Sequence, residues 1–490
     1  MKFQEVLRNS AWLYISNLFS TLIGYLYWLF ASRIVDPNAI GSAVAVISLS
    51  GVFNSILSLG LATGIQRFLG FAYGKKDTKL LSDYFWSALL FSVLLSILGA
   101  VILGLLAILN IGVGKFSIIQ LLFAISLLLL GGGTWNQIFN ALFISTLRAK
   151  YSAITGVTSS LLRLIVGLHL VYRGFGDIGI IAGYLAASIT SDVINLYLVT
   201  RIPTIREFRP SLSIEILKDI IKAGLVSWLP TFLTLISQWA GFLGAYTIVG
   251  EYQTGLYYIA FAIASAIYAI PLTILNFMLP VLSGITQNKE DMLYKAIRLS
   301  LIISVPIVAI VTAYPQSVLS LLGTQYVQAS DILLVLTLAT LTIPLLSGVT
   351  NLVYAEGKYI QVLTIGLTTN IPRLILYPVL ANIYQEIGIA WSYLIGFLMG
   401  FVTSIIVAYK NRFKPPWREY AIASLGIPPT YLLRISLPLT VVAPLALIID
   451  MLIYMKFQLL MKSDVIEIIE TFMPGVKVNI MKRQDSKRGN

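Results

Sequence analysis

The chain of 490 residues contains no cysteine, a single histidine and few charged side chains. The lack of cysteine excludes a disulfide framework and thiolate chemistry. Charged residues form 11% of the sequence, against about 25% in soluble globular proteins. The lone His169 is more typical of a satisfied polar residue than of a base or a metal ligand. We therefore predict no catalytic residue, no metal site and no cofactor.

Motifs for nucleotide binding and catalysis are also missing. The sequence has no GxxxxGK[ST] loop, so the chain is not itself an ATP-driven pump. No two carboxylates share an apolar run at helical spacing, and no long outer loop offers the acceptor site of a membrane glycosyl transferase or polymerase. We therefore predict that the protein is not an enzyme.

Apolar sequence is abundant instead. Hydrophobic residues form 58% of the chain and the mean hydropathy is +0.87. Many apolar runs approach the roughly 20 residues that a helix needs to cross a membrane. This pattern predicts an all-α polytopic membrane protein. The thirteen predicted crossings are 11–32, 42–66, 84–109, 118–144, 152–172, 178–200, 222–247, 256–282, 297–321, 330–354, 360–381, 388–409 and 433–456.

Basic residues orient these crossings. With the N-terminus inside, every predicted inner segment holds at least one Lys or Arg, whereas the outer segments hold only Arg33, Lys115 and Arg173. Cytoplasmic loops carry this excess of positive charge. We therefore predict a multi-pass protein of the cell membrane with a cytoplasmic N-terminus. The net charge of +13 reflects those loops rather than a nucleic-acid partner.

Two stretches of the chain resemble each other without a gap. Arg8 to Gly70 and Lys222 to Gly284 each contain two apolar runs joined by a short polar corner. Ile34-Val35 aligns with Ile248-Val249, and Gly41 aligns with Gly255. Three further matches follow in the same order: Lys150-Tyr151 with Lys358-Tyr359, Arg163-Leu164-Ile165 with Arg373-Leu374-Ile375, and Asp177-Ile-Gly-Ile-x-x-x-Tyr-Leu185 with Glu386-Ile-Gly-Ile-x-x-x-Tyr-Leu394. The chain is thus predicted to be a tandem duplication of a unit of about 210 residues.

The duplication defines the predicted domains. Residues 1–200 form an N-lobe of six helices, 201–221 a cytoplasmic linker, and 222–410 a C-lobe of six helices related to the first by a pseudo-two-fold axis along the membrane normal. Residues 411–456 hold an interfacial segment and an extra crossing. Residues 457–490 hold a short amphipathic helix and a basic tail. Thirteen crossings would leave that tail outside, against the positive-inside rule, unless a short crossing or a re-entrant piece lies within 418–440.

Charged residues inside the crossings are the candidate site. Such groups cost several kcal/mol unless they face protein or water. Arg163 and Arg373 lie near the middle of matched crossings. Asp192 lies in the sixth crossing and is also able to pair with Arg163. Arg67 lies at an inner helix end, where its side chain can simply extend to the interface. The alternative for each arginine is a structural link between helices.

Several short motifs follow one another in a characteristic order: Arg8-Asn-Ser, Ala31-Ser-Arg33-Ile-Val-Asp-Pro-Asn-Ala-Ile-Gly41, Leu59-Gly-Leu61, Arg67-Phe68, Thr254-Gly-Leu-Tyr257 and Lys462-Ser-Asp-Val-Ile-Glu-Ile468. By the order of these motifs, rather than by any single one, the chain resembles the polysaccharide-flippase branch of the multidrug/oligosaccharidyl-lipid/polysaccharide exporter superfamily. The resemblance implies two six-helix lobes around a central cavity. It also implies transport of a lipid-linked oligosaccharide by alternating access, with membrane lipids as partners and glycan-assembly enzymes as candidate partners. Family members usually have 12 or 14 crossings.

Two functions remain open within this superfamily. A flippase for a polyprenyl-(pyro)phosphate-linked glycan needs cations and amides in its cavity, which Arg163, Arg373, Arg67 and the intramembrane amides supply. An ion-coupled multidrug or small-molecule exporter favours buried carboxylates, for which Asp192 is the clear candidate in the core. We predict the flippase, with Arg163 and Arg373 facing the cavity and holding the lipid phosphate.

Overall fold

The computed structural model describes residues 3–131, 134–206, 210–284 and 289–459, and these ranges contain helices and no strand. The first group of helices is α1 (Phe3–Ile34), α2 (Pro37–Leu57), α3 (Leu61–Lys75), α4 (Thr78–Ile108), α5 (Ile118–Leu130), α6 (Thr134–Ser145), α7 (Ala149–Leu170), α8 (Gly176–Thr200) and α9 (Pro203–Arg206). The second group is α10 (Ile214–Gly244), α11 (Glu251–Gly284), α12 (Lys289–Ala313), α13 (Pro315–Ser320), α14 (Ser330–Leu338), α15 (Ile343–Ala355), α16 (Tyr359–Lys410), α17 (Trp417–Ser424), α18 (Ile427–Arg434) and α19 (Leu439–Lys456). The predicted amphipathic helix and basic tail lie outside the described residues from 460 onward.

The predicted crossings correspond to these helices. Among the described residues, ten helical stretches are long and apolar enough to cross a membrane. Two of them, 149–200 and 359–410, contain 52 residues each, or roughly 78 Å at about 1.5 Å per residue. Each is broken by a residue with positive φ, Gly174 in the first and Gln385 in the second, and each therefore provides two crossings. The prediction of an all-α polytopic membrane protein is confirmed.

The second predicted crossing is not one continuous helix. Helix α2 ends before Leu59 and Gly60, which both have positive φ, and α3 begins at Leu61. The backbone of Gly60 lies directly against Gly224 of α10: a Cβ added to Gly60 would lie 2.6 Å from the Gly224 carbonyl carbon. The two backbones approach so closely that only glycine fits, and the helix breaks there.

The described residues form two compact units. The first comprises the described residues within 1–264, 316–336 and 359–403. The second comprises the described residues within 265–315, 337–358 and 404–459. The predicted lobe boundaries, 1–200 and 222–410, stay predictions.

Inside the first unit, α2 and α11 make two close backbone contacts, and each helix supplies the glycine in one contact and the carbonyl oxygen in the other. A Cβ added to Gly41 of α2 would overlap the carbonyl oxygen of Glu251 at the start of α11. A Cβ added to Gly255 of α11 would in turn overlap the carbonyl oxygen of Pro37 at the start of α2. Gly41 aligns with Gly255, and the same ungapped register aligns Pro37 with Glu251. Contacts of this reciprocal kind arise around a two-fold axis, so they support the predicted relation between the repeats.

In the second unit, the chain follows α12 from one end to the other between residues 417 and 437. Near the start of α12, Tyr294 is hydrogen-bonded to Glu419 of α17. Beyond its end, the hydroxyl of Tyr314 donates to the carbonyl oxygen of Leu437, after α18, at 2.7 Å. Helices α17 and α18 have eight residues each, and neither is among the described stretches long and apolar enough to cross a membrane. The short crossing or re-entrant piece considered within 418–440 therefore stays a prediction.

Helix α19 then returns along the same path. Val442 and Ala446 pack beside Tyr314, and the hydroxyl of Tyr454 donates to the carbonyl oxygen of Ala423. The guanidinium of Arg418 donates to the carbonyl oxygen of Phe457 at 3.3 Å, which returns the chain to the level of α17. Helices α17 to α19 therefore form a helical hairpin after α16, and α19 is its one stretch among the described residues that is long and apolar enough to cross a membrane.

Candidate substrate site

Arg163 borders a polar cavity in the first unit. The cavity has a volume of about 330 Å³ and lies among α6, α7 and α8. Amides and hydroxyls surround the half-buried arginine, from Asn136, Gln137, Asn140, Ser159 and Ser188. Such a lining offers hydrogen bonds to a polar ligand, and Arg163 is its one basic residue.

The guanidinium of Arg163 lies on aromatic rings rather than beside an acid. Its central carbon is 4.9 Å from the ring centre of Tyr184 and 5.7 Å from that of Tyr27. Within the described ranges Arg163 forms no salt bridge, and its buried Nε has no hydrogen-bond partner. Aromatic faces attract the cation but neutralise none of its charge. The site therefore carries a positive charge with hydrogen-bonding capacity to spare.

Asp192 is engaged in a separate polar network. The amide nitrogen of Asn136 donates to Asp192 Oδ1 at 3.0 Å and to the Ser191 hydroxyl at 2.7 Å. Asn195 donates to the amide oxygen of Asn136 and accepts from the hydroxyl of Thr155. Asp192 is 5% exposed and its Oδ2 has no partner. Within the described residues, Asp192 therefore forms no ion pair with Arg163, although the sequence made that pairing possible. The carboxylate accepts a hydrogen bond from Asn136 instead.

Arg373, the repeat equivalent of Arg163, is enclosed. It is 2% exposed. Its Nε donates to the Tyr377 hydroxyl at 3.1 Å and its NH1 donates to Asn370 Oδ1 at 3.0 Å. Its guanidinium carbon is 4.4 Å from the ring centre of Tyr393 and 5.4 Å from that of Phe397. Arg373 does not border the cavity beside Arg163.

The register of the repeat shows why the two arginines differ. Tyr184 aligns with Tyr393, so the ring beneath the cation is common to both halves. The groups that enclose Arg373 are replaced around Arg163. Asn370 corresponds to Ser160, whose hydroxyl donates back to the Gly156 carbonyl. The other replacements are Ser188 for Phe397 and Ala187 for Gly396, and both Ser188 and Ala187 line the Arg163 cavity.

Gly396 has a specific part in enclosing Arg373. A Cβ added to Gly396 would overlap the aliphatic part of the Arg373 side chain. The Arg373 side chain therefore packs directly against the part of α16 that follows Gln385, which we call its second arm. The methyl group of Ala187 occupies the corresponding place in the first half, so an equivalent packing of Arg163 is blocked sterically.

A tyrosine and a glycine have exchanged positions between the halves. Tyr27 of α1 packs on Gly167 of α7, where an added Cβ would lie 2.7 Å from the ring. Tyr377 of α16 packs on Gly241 of α10, where an added Cβ would lie 3.2 Å from the ring. By register, Tyr27 corresponds to Gly241, and Gly167 corresponds to Tyr377. Each half thus has one tyrosine beside its arginine. In the first half the tyrosine comes from α1, and in the second half it comes from α16, the helix that also carries Arg373.

The remaining predicted residue, Arg67, is exposed on α3 and borders neither cavity. Sequence reasoning missed Tyr27 and Tyr184 as partners of Arg163. Tyr184 had a signal, because it is the tyrosine of the matched Ile-Gly-Ile-x-x-x-Tyr-Leu segments. Tyr27 had none, since its counterpart is a glycine.

A second cavity lies in the same unit among α2, α3, α6 and α10. It has a volume of about 320 Å³. Trp228, Phe232 and Trp239 supply its aromatic faces, and Asn54, Ser55, Thr63 and Thr231 supply polar groups. Gln137 borders both this cavity and the one beside Arg163.

Comparison with known protein families identifies the family of this chain. Residues 30–331, more than half of the chain, match a family described as polysaccharide biosynthesis protein. The chain belongs to this polysaccharide biosynthesis protein family. A comparison with curated protein sequences gives no match.

Solved structures share the fold of this family member. A lipid II flippase, MurJ, in an inward closed conformation matches over 93% of this chain and 99% of that chain, with 15% identity and a TM-score of 0.72. An inward-facing multidrug resistance MATE family transporter of the MOP superfamily matches over 82% of this chain and 95% of that chain, with 19% identity and a TM-score of 0.60. A MOP superfamily transporter from Pyrococcus furiosus matches over 86% and 96% of the two chains, with 18% identity and a TM-score of 0.55. The predicted resemblance to polysaccharide biosynthesis proteins is confirmed by the family match, and the solved structures share the predicted two-lobed fold.

Proposed function

We propose that this polysaccharide biosynthesis family member is a flippase. It moves a polyprenyl-(pyro)phosphate-linked oligosaccharide across the cell membrane by alternating access, for surface polysaccharide or glycan biosynthesis. The observation that carries the proposal is Arg163, which lies within a membrane-spanning hairpin, borders a polar cavity and is not paired with an acid in the described structure. The fold shared with a lipid II flippase supports the same function.

The chemistry of Arg163 fits a phosphate better than other ligands. A guanidinium stays protonated at all relevant pH values, so it cannot escape burial by losing a proton. Phosphate oxygens accept its planar fork in two parallel hydrogen bonds. Asn136, Gln137 and Asn140 can donate further hydrogen bonds to the remaining oxygens and to sugar hydroxyls.

The other predicted site residues enter this proposal differently. Arg373 would reach a ligand only after its aromatic enclosure opens, so its contact with substrate stays a prediction. Asp192 holds Asn136, a residue of the cavity wall, in position. The predicted contact of Arg67, at the inner end of the second predicted crossing, stays a prediction.

Transport by purified protein in liposomes tests the proposal. The substrate is a fluorescent polyprenyl pyrophosphate that carries a neutral oligosaccharide, and its loss from the outer leaflet is measured. Arg163→Ala should slow transport at least about thirtyfold, the size expected when one partner of a buried charged pair is removed. Arg163→Lys should restore only part of the rate, because an ammonium lacks the two-pronged geometry.

The control is Arg173→Ala, which removes an exposed arginine outside the cavity. This variant should transport at the wild-type rate. Wild-type transport by Arg163→Ala, in protein that inserts normally, would refute the proposal.

A second candidate function is ion-coupled export of a multidrug or small-molecule substrate. The observation in its favour is Asp192, whose buried Oδ2 is unpartnered one residue from the cavity-lining Ser191. A cationic dye should then move faster than the lipid-linked glycan, and Asp192→Asn should abolish its transport. We expect neither result.

A further inference from the structure

The aromatic cavity beside Gln137 has properties that the phosphate-binding proposal does not use. Among the described residues, no charged side chain lines this cavity. Its volume of about 320 Å³ is many times the roughly 30 Å³ that one water molecule occupies in the liquid. Its walls combine three large aromatic side chains with hydroxyl and amide groups. The ligand that suits such a wall is neutral, partly apolar and rich in hydrogen-bonding groups.

The aromatic rings are held in fixed orientations. Trp228 stacks on Phe232 with ring centres 4.5 Å apart and planes inclined by 27°. The indole nitrogen of Trp228 donates to the Ser58 hydroxyl at 2.8 Å. Trp239 lies against the backbone of α2, where a Cβ added to Gly51 would be 2.5 Å from the indole. Rings fixed before binding lose little conformational entropy when a ligand arrives.

The aromatic cavity and the Arg163 cavity meet at one side chain. Gln137 of α6 borders both. A ligand with an anionic group near Arg163 and a neutral group attached to it would therefore pass Gln137. The amide of Gln137 can donate to one part and accept from the other.

We propose that the cavity formed by Trp228, Phe232 and Trp239 is a saccharide-binding subsite. It takes a neutral sugar ring of the lipid-linked glycan while Arg163 holds the phosphate. A pyranose has a face of C–H groups that lies on an aromatic ring, and a rim of hydroxyls that matches Asn54, Ser55 and Thr63. The inference rests on the proposed flippase function and adds to it a preference for an uncharged sugar next to the phosphate.

A binding experiment on the full-length protein in lipid nanodiscs tests the subsite. Two probes are compared: polyprenyl pyrophosphate carrying a neutral disaccharide, and the same lipid pyrophosphate without sugar. The wild-type protein should bind the glycosylated lipid at least about tenfold more tightly. Trp239→Ala should remove that preference, leaving affinity for the sugar-free lipid within about twofold of wild type.

Two further variants separate recognition from folding. Trp239→Phe keeps an aromatic face and should retain most of the preference for the glycosylated lipid. Trp391→Ala removes an exposed tryptophan that borders no described cavity and should leave both affinities unchanged. Thermal unfolding of each variant shows whether its fold is intact.

The outcomes distinguish the subsite from the flippase function. Equal wild-type affinity for the two probes overturns the subsite, as does an equal loss for both probes in Trp239→Ala. Neither result affects the phosphate-binding proposal, which fails instead if Arg163→Ala binds the sugar-free lipid as tightly as wild type.

Discussion

The two halves of the molecule carry the same arginine in opposite surroundings. Arg163 lies on Tyr184 at the wall of a polar cavity. Arg373 lies on Tyr393 and is sealed by Phe397, with its hydrogen bonds satisfied by neutral groups. In the register of the predicted repeat, the cation and the ring beneath it are the same in both halves, whereas the enclosing residues differ. Position in a repeat thus predicts which residue is present but not whether a ligand can reach it.

Because their surroundings differ, we expect replacement of Arg163 by alanine and replacement of Arg373 by alanine to have different effects. Removing Arg163 takes away a charge that is available to a ligand. Removing Arg373 takes away the central group of a packed cluster, where polar partners are left without hydrogen bonds. Measurements of stability and transport therefore separate the two halves.

The largest expected effect on stability is that of Arg373→Ala. The substitution leaves a void between the arms of α16 and unpaired groups on Tyr377 and Asn370, and we expect a loss of about 3 kcal/mol in the free energy of unfolding. Thermal unfolding and membrane abundance measure it. The repeat-equivalent Arg163→Ala is the matched control and should cost less than half as much. Equal stability losses in the two variants would contradict the contrast between the halves.

A smaller effect is expected when the tyrosine positions are changed. Gly241→Tyr forces a second ring into the space of Tyr377 and should cost about 2 kcal/mol through overpacking. Adding Tyr377→Gly recreates the arrangement of the first half, with tyrosine on the first helix of the repeat and glycine on the fifth. The double variant should regain at least half of the loss in unfolding midpoint. A double variant less stable than Gly241→Tyr alone would show that the halves are not equivalent at this position.

Asn136→Ala should have a moderate effect that is confined to the first half. It removes the one donor to Asp192 among the described hydrogen bonds, and a buried acceptor left alone costs about 1–2 kcal/mol. Adding Asp192→Leu, which removes the polar group itself, should recover most of that stability in a chemical unfolding titration. No recovery would mean that Asn136 acts through Asn195 instead.

The smallest effect is expected from Arg67→Ala. The side chain is exposed, and substitutions at such positions change stability by no more than about 0.5 kcal/mol. Transport should stay within about twofold of wild type in the liposome assay. A tenfold loss would support the substrate contact that the sequence predicts for Arg67.

Most crossings could be predicted from the sequence, because an apolar run of about 20 residues satisfies its backbone hydrogen bonds in a membrane by forming a helix. The segment of α17 and α18 could be described from the sequence only as a short crossing or a re-entrant piece, because it consists of two helices of eight residues each, with Pro428 and Pro429 at the start of the second. The break at Gly60 escaped prediction for a different reason. It depends on Gly224, which is distant in sequence, and an isolated glycine gives no sign of its neighbour.

Some features of the candidate site could also be predicted from the sequence, whereas others depend on contacts between distant parts of the chain. Hydropathy and the repeat identified Arg163, because a charge inside an apolar run is visible locally. Whether that charge is open or enclosed depends on residues of another helix, such as Ala187 against Gly396. The aromatic cavity was not predicted, because Trp228 and Trp239 look like ordinary core residues until α2 and α3 are placed beside them.

The reciprocal glycine contacts have a mechanical consequence. At Gly41 and at Gly255, backbone touches backbone with no side chain between them. A contact of this kind has no rotamers to change, so it resists both compression and sliding. Two fixed points leave a pair of bodies only one freedom, which is rotation about the line that joins them. Any relative movement of α2 and the start of α11 that preserves both contacts is therefore a rocking motion about an axis set by two glycines.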